Sequence, residues 1–319
     1  MDTALRWLAS HQEADGHWDA QKCSTADSSD TVATSFALLA FLGAGHTEKL
    51  GEHKTSVQKA VAWLKSKQAA NGAITDETDA NNKNVTIPPT AIAALALAEA
   101  TGMGNVTDTR TAAQAALDYC VNVHPGAEPG WGFKAKDPGD LTASIWFIMA
   151  LKSARVAGLK VAPSAFDNAI KFLDSIEHKL GKETDTGHGP ASIYWRTKTA
   201  EDAHANHPSA HLLTAMGTLA RQFLGWKKED LQANVEWFVA KGGVPAWEKA
   251  EPLYWYFGTL CVFQQGGDLW KTWNEALKTM LVDNQSKTGD ASGSWNTQWG
   301  AMTGSLCLEA YYRYQQVAP

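Results

Sequence analysis

An aromatic residue followed by an apolar one recurs along this chain: Trp7-Leu8, Trp63-Leu64, Tyr119-Cys120, Phe172-Leu173 and Trp237-Phe238. The spacings are 56, 56, 53 and 65 residues. Each pair sits near the end of a helical stretch. A period of this size marks one supersecondary unit repeated, each unit burying its apolar face against its neighbours. Running through all 319 residues, it predicts one domain over 1–319 rather than two unrelated ones.

Two kinds of helix alternate within the repeat. Val57-Gln58-Lys59-Ala60-Val61-Ala62-Trp63-Leu64 has apolar residues at 57, 60, 61 and 64 with polar ones between. That is the period of a helix with one wet face. Counterparts are expected over 2–12, 110–123, 164–179, 229–240 and 270–284. The other kind is apolar almost all round: 31–43, 90–100, 141–150, 209–224, 253–263 and 302–311. A helix apolar on every side is buried on every side. The predicted fold is therefore all-α, an (α/α)6 toroid with six inner and six outer helices. Connections from inner to outer helices are short and glycine-bearing, which suits left-handed helix caps. Connections from outer to inner are long and polar, and in such a ring all of them emerge on one face. Long loops on a rigid scaffold are where function is usually carried.

These loops carry a second pattern: Gln12 with Gly16-His17-Trp18, Gln68 with Gly72, Gly130-Trp131-Gly132, and Gln285 with Gly293-Ser294-Trp295. Together with 254–260, Trp270-Lys271-Thr272-Trp273-Asn274 and 308–314, it resembles the squalene-cyclase and protein-prenyltransferase repeat superfamily over essentially the whole chain. The single-domain cyclase-repeat proteins of planctomycete-type bacteria look most similar. The resemblance implies the toroid, and an apolar, isoprenoid-like molecule bound or transformed in a central aromatic cavity by a terpene-cyclase-like isomerase or lyase.

Residue by residue, Asp27-Ser28-Ser29-Asp30-Thr31 looks like the acidic motif of class II terpene cyclases. Asp27 matches its first aspartate and Asp30 its last. These two are the catalytic candidates at the cavity mouth. Ser29 stands where the proton donor belongs, and a hydroxyl cannot replace a protonated carboxylic acid in protonating an alkene. Read for itself, the segment is a helix N-cap, a place that favours Ser and Asp. Asp118-Tyr119-Cys120 has the spacing of the prenyltransferase zinc motif, but it falls on an outer helix, so that motif is not matched.

Independently of any family, Asp202, His204, His207 and His211, with His188 upstream, gather around the longest loop. His207 and His211 would share a helix face. The set is a candidate for a divalent metal or for acid–base work, although no cofactor is required by anything else in the sequence. Fourteen tryptophans supply the candidate cavity wall. Trp146, Tyr254, Trp255, Tyr256 and Trp299 fall on inner helices or long loops, and Glu251 would give them a polar rim.

A formal net charge of −6 offers no electrostatic footprint for nucleic acid. No apolar run reaches the length of a membrane span, and the first residues lack the regions of a signal peptide. The expected compartment is either intracellular or that of a trimmed exported domain. Four cysteines without CxxC spacing read as buried thiols. Two other functions remain open alongside the terpenoid reading. One is a non-catalytic module binding a ligand or a protein partner. The other is a carbohydrate-active hydrolase or lyase built on the same toroid.

Overall fold

The computed structural model describes residues 2–23, 29–75, 87–123, 129–135, 137–177, 209–249 and 251–295. Its helices are α1 (Asp2–Ser10), the short α2 (Ala20–Cys23), α3 (Asp30–Gly43), α4 (Lys54–Ser66), α5 (Pro88–Gly104) and α6 (Thr107–Asn122). They continue with α7 (Leu141–Val156), α8 (Pro163–Ser175), α9 (Ala210–Phe223), α10 (Lys228–Gly242), α11 (Pro252–Gln265) and α12 (Gly267–Asp283). A 3-10 turn spans Trp247–Lys249. No strand occurs among the described residues; Gln68 and Ile74 form an isolated bridge.

The fold is an all-α (α/α)6 toroid. The inner helices pack in sequence, α3 on α5, α5 on α7, α7 on α9 and α9 on α11. Each is buried on nearly every side; α5 buries Ala91, Ile92, Ala93, Ala94, Leu95, Ala96, Leu97 and Ala98 in succession. Outer helices bury one stripe only, as α4 does with Val57, Ala60, Val61 and Leu64. The small residues of α5 let it approach two inner neighbours and α6 at once. α5 also runs past Gly102, and Asn105, at φ 49°, takes the left-handed cap. The expected sixth inner helix, 302–311, lies outside the described residues. No described helix is long and apolar enough to cross a membrane.

The Gln–Gly–Trp pattern turns out to be the device that joins one unit to the next. Gln12 Nε2 donates to Gly16 O at 2.8 Å and to Ser56 O, on the next outer helix, at 3.0 Å. Gln68 Nε2 repeats this with Gly72 O at 3.4 Å and Ala112 O at 2.9 Å. The indoles of Trp18, Trp131 and Trp295 each donate back to their own outer helix, to Leu8 O (2.9 Å), Cys120 O (2.9 Å) and Leu281 O (2.8 Å). Between them the glycine touches the following outer helix so closely that a Cβ would overlap it. Gly16 meets Lys59 on α4, Gly72 meets Ala115 on α6, Gly130 meets Phe172 on α8, and Gly293 meets Thr3 on α1. The last contact joins the end of the described chain to its beginning. Thr3 Oγ1 donates to Gln285 Oε1 at 3.2 Å, and Trp7 Nε1 donates to Asp290 O at 2.9 Å.

Aromatic rings close the axis. Phe36 of α3 lies 5.6 Å from Trp146 of α7, and Trp146 lies 6.2 Å from Tyr256 and 5.3 Å from Phe257 of α11. These helices are the first, third and fifth of the inner ring, so their side chains meet across its centre. They sit four to six residues into their helices, roughly 8 Å below the inner-helix N-termini at 1.5 Å per residue.

On the opposite face, the rings of His46 and His53 meet edge to face at 4.9 Å beside Phe41. Burial pushes both imidazoles below their ordinary value of 6.5; His53 adds to the effect on His46 and Arg6 to that on His53, while Glu52 and Asp2 oppose it. The unfolded chain therefore binds protons that the folded one resists. The stabilisation is complete above about pH 6.5 and is lost as pH falls through the depressed folded values. The urea midpoint should be lower at pH 5 than at pH 7, and His46→Gln should narrow the gap. An unchanged gap in that variant would remove these histidines from the acid limb.

Candidate functional site

At the N-termini of the inner helices, the described polar groups divide into those that tie a loop to its own helix and those that pair two helices. Asp30 belongs to the first group. Its Oδ1 accepts from Ala20 N at 2.8 Å, and its Oδ2 lies 3.7 Å from His17 Nε2. His17 pairs through Nδ1 with Asp15 at 2.6 Å and stacks on Trp63 at 5.2 Å. Burial pushes the Asp15 carboxyl up, but the hydrogen bonds and charge of His17 hold it below its usual value. Asp30 thus ties the first loop to α3. Ser29 Oγ caps the same helix, accepting from Val32 N at 3.2 Å. Asp140 does the equivalent for α7: buried, it accepts from Thr142 N at 2.8 Å and from Thr142 Oγ1 at 2.6 Å.

The second kind is a pair formed by two inner helices, about as exposed as the His17–Asp30 pair. His211, in the first turn of α9, places Nε2 2.7 Å from Glu251 Oε2, at the N-terminal boundary of α11. Ser209 Oγ lies 2.9 Å from the same nitrogen. The side chains are 18% and 31% exposed, low enough to hold one geometry and open enough to meet a ligand. The imidazole is clamped from behind. Its ring stands edge-on to Tyr254 at 4.7 Å, and Tyr254 OH donates to Gly243 O at 2.8 Å. Residue 242 must be glycine for this, because a Cβ there would lie 2.8 Å from His211 Cδ2 and 2.7 Å from Tyr254 OH. Glu251 stands at the N-terminal boundary of α11, where the helix dipole favours an anion.

The candidates expected from the sequence separate accordingly. Trp146 and Tyr256 point to the axis and are buried. Tyr254 turns toward α10, bonding Phe238 O at 3.2 Å, and Trp255 stacks on Trp247 at 6.4 Å. Three consecutive aromatics on one helix diverge by about 100° per residue, so they do not share a wall. Asp27, Trp299, Asp202, His204, His207 and His188 lie outside the described residues. Among the described residues no three His, Cys, Asp or Glu side chains converge as metal ligands. The sequence singles out both His211 and Glu251 but not their pairing, which joins residues 40 apart. It misses Ser209 and Gly242 altogether; only the polar start of α9 and the Gly242-Gly243 doublet signal them.

No protein-family model and no curated protein matches this chain. Solved structures do match, at the level of fold. An α-amylase from Clostridium perfringens superposes with a TM-score of 0.63 at 13% identity, over 98% of this chain and 97% of that one. An inactive variant of an α-1,6-mannanase from Salegentibacter sp. HEL1_6, solved with α-1,6-mannotriose, gives 0.63 at 11% identity over 97% and 98%. The endo-β-1,4-glucanase CMCax from Acetobacter xylinum gives 0.55 at 14% identity over 98% and 97%.

These matches overturn the expected resemblance to squalene cyclases and protein prenyltransferases, and with it the terpenoid-isomerase reading. The physical reason is visible in the joints between units: Gln, Gly and Trp hold neighbouring units together whatever the ring binds. The expected apolar, isoprenoid-like ligand falls as well. The mannanase neighbour holds an oligosaccharide, and of the described residues assigned to the cavity wall, Trp146 and Tyr256 meet at the axis, Tyr254 packs toward α10 and Trp255 on Trp247. What the chain shares with these sugar-active proteins is the double helical ring.

Proposed function

We propose that the protein is a carbohydrate-active enzyme, a hydrolase or lyase working on a glycan at the loop face. The observation that carries this reading is the Glu251–His211 pair, 2.7 Å apart and accessible where the inner helices begin. A carboxylate positioned by an imidazole can act as a general base and take a proton. Taken from water attacking a glycosidic carbon, that proton starts a hydrolysis; taken from a sugar C–H, it starts a β-elimination. Glu251 is the reacting group and His211 positions it. The sugar-active toroids above add support by analogy of fold alone.

The test is incubation with α-1,6-mannan, starch, β-1,4-glucan and a uronate polymer, following new reducing ends and the ultraviolet absorbance of unsaturated sugars. Turnover of at least one polymer is expected. If none is turned over, and no glycan-binding assay responds to Glu251→Gln, the reading fails.

A further inference from the structure

Among the described residues the glycine joint is missing at α12, and a cleft lies there. The indole acceptors Leu8, Cys120 and Leu281 occupy corresponding places on α1, α6 and α12. Five residues earlier, Thr3 and Ala115 receive the glycines of the preceding loops. The corresponding residue on α12 is Ala276. Among the described residues no glycine reaches it. The glycines of the preceding loop are engaged elsewhere, Gly242 on Tyr254 and His211, and Gly243 beside Lys249. In place of the joint, a cleft of about 610 Å³ opens between Ala276 and the 3-10 turn at Trp247.

The lining of this cleft has a definite chemistry. Trp247 is half-buried, and its ring is held 24° from parallel with that of Trp255. Around it stand three exposed carboxylates, Glu248 from the turn and Glu275 and Asp283 from α12, with the hydroxyl of Thr279. Among the described residues of the lining there is no lysine or arginine. An indole offers a flat apolar face and an attractive quadrupole to a cation. Carboxylates gathered without a counter-charge favour an ammonium and disfavour an anionic glycan. The turn that bears Trp247 and Glu248 leads within three residues to Glu251.

We propose that this cleft is a binding site for amino-sugar oligosaccharides, with a pyranose ring on Trp247 and the protonated 2-amines of successive sugars along Glu248, Glu275 and Asp283. The assignment rests on the reading that the protein acts on sugars, and it names the substrate class of that reaction.

The test uses the full chain carrying Glu251→Gln, titrated calorimetrically with the β-1,4-glucosamine hexamer, its fully N-acetylated counterpart and cellohexaose. The glucosamine hexamer should bind about tenfold or more tightly than either neutral hexamer, and the preference should shrink as salt shortens electrostatic reach from roughly 10 Å at 0.1 M to 3 Å at 1 M. Trp247→Ala and, separately, the exposed Glu275→Gln should each weaken binding about tenfold while thermal melting stays unchanged. Equal affinity for the three hexamers, full affinity in both variants, or no binding of any hexamer overturns the proposal. Polymer turnover by the wild-type chain is scored separately. Turnover without cleft binding sinks this site alone, and cleft binding without turnover sinks only the enzymatic reading.

Discussion

Glu251→Gln is expected to lower turnover of any glycan the wild-type chain processes by roughly 10³-fold, the scale on which a positioned acid–base group contributes. Gln is nearly the same shape and still accepts from His211 Nε2, so the melting temperature and far-UV dichroism should hold. The charge and the basicity are what is lost. His211 acts through Glu251, and its variants should reflect that. His211→Phe keeps the contact with Tyr254 but removes the donor; it should lower kcat about 10- to 100-fold with little change in KM. His211→Gln restores a donor and should recover part of the loss. A fall of less than tenfold in Glu251→Gln would take that carboxylate out of the reaction. Equal losses in the two His211 variants would reduce the imidazole to a packing role.

Gly293→Ala is expected to destabilise the protein by about 2–4 kcal/mol, from left-handed backbone strain and an overlap that must be relieved. Gly293 has φ +100°, and an added methyl would press on the backbone of Thr3 in α1. Relieving the contact lifts the loop from α1, where Thr3–Gln285 and Trp7–Asp290 bonds close the ring. Gly289 is the internal control. It has φ +69° with nothing near its missing Cβ, so Gly289→Ala should cost only the strain, on the order of 1 kcal/mol. Urea unfolding of the two variants measures the difference. If they lose the same stability, the close approach at Thr3 contributes nothing, and the ring is not held there.

Much of the ring could be read in one dimension because the features that build it are local. The apolar faces of α4 and α5 are written in adjacent residues, and their periods separate outer from inner helices. The cap at Ser29 is equally local, a hydroxyl bonding an amide three residues on. The Gln–Gly–Trp pattern was visible as a pattern but not as a joint. Its glycines face residues such as Lys59 and Ala115, more than 40 positions away, and only the path of the chain brings them together. The same blindness made the pattern look like a badge of terpenoid chemistry.

The site was legible in pieces. His211 and Glu251 each stood out as polar residues at the start of an apolar helix, one as a metal candidate and the other as a rim. Tyr254, Trp255 and Tyr256 stood out as a group, yet helical rotation sends one to α10, one to Trp247 and one to the axis.

The sequence alone therefore determined the alternating helices and the double ring, since these follow from hydrophobic period and from residues a few positions apart. Only the tertiary structure decided that the axis is filled by aromatic rings, that Asp30 builds a loop, that Glu251 meets His211, and that the joint at Ala276 stands open. Each of these depends on side chains from different helices, and no local periodicity encodes which of them meet.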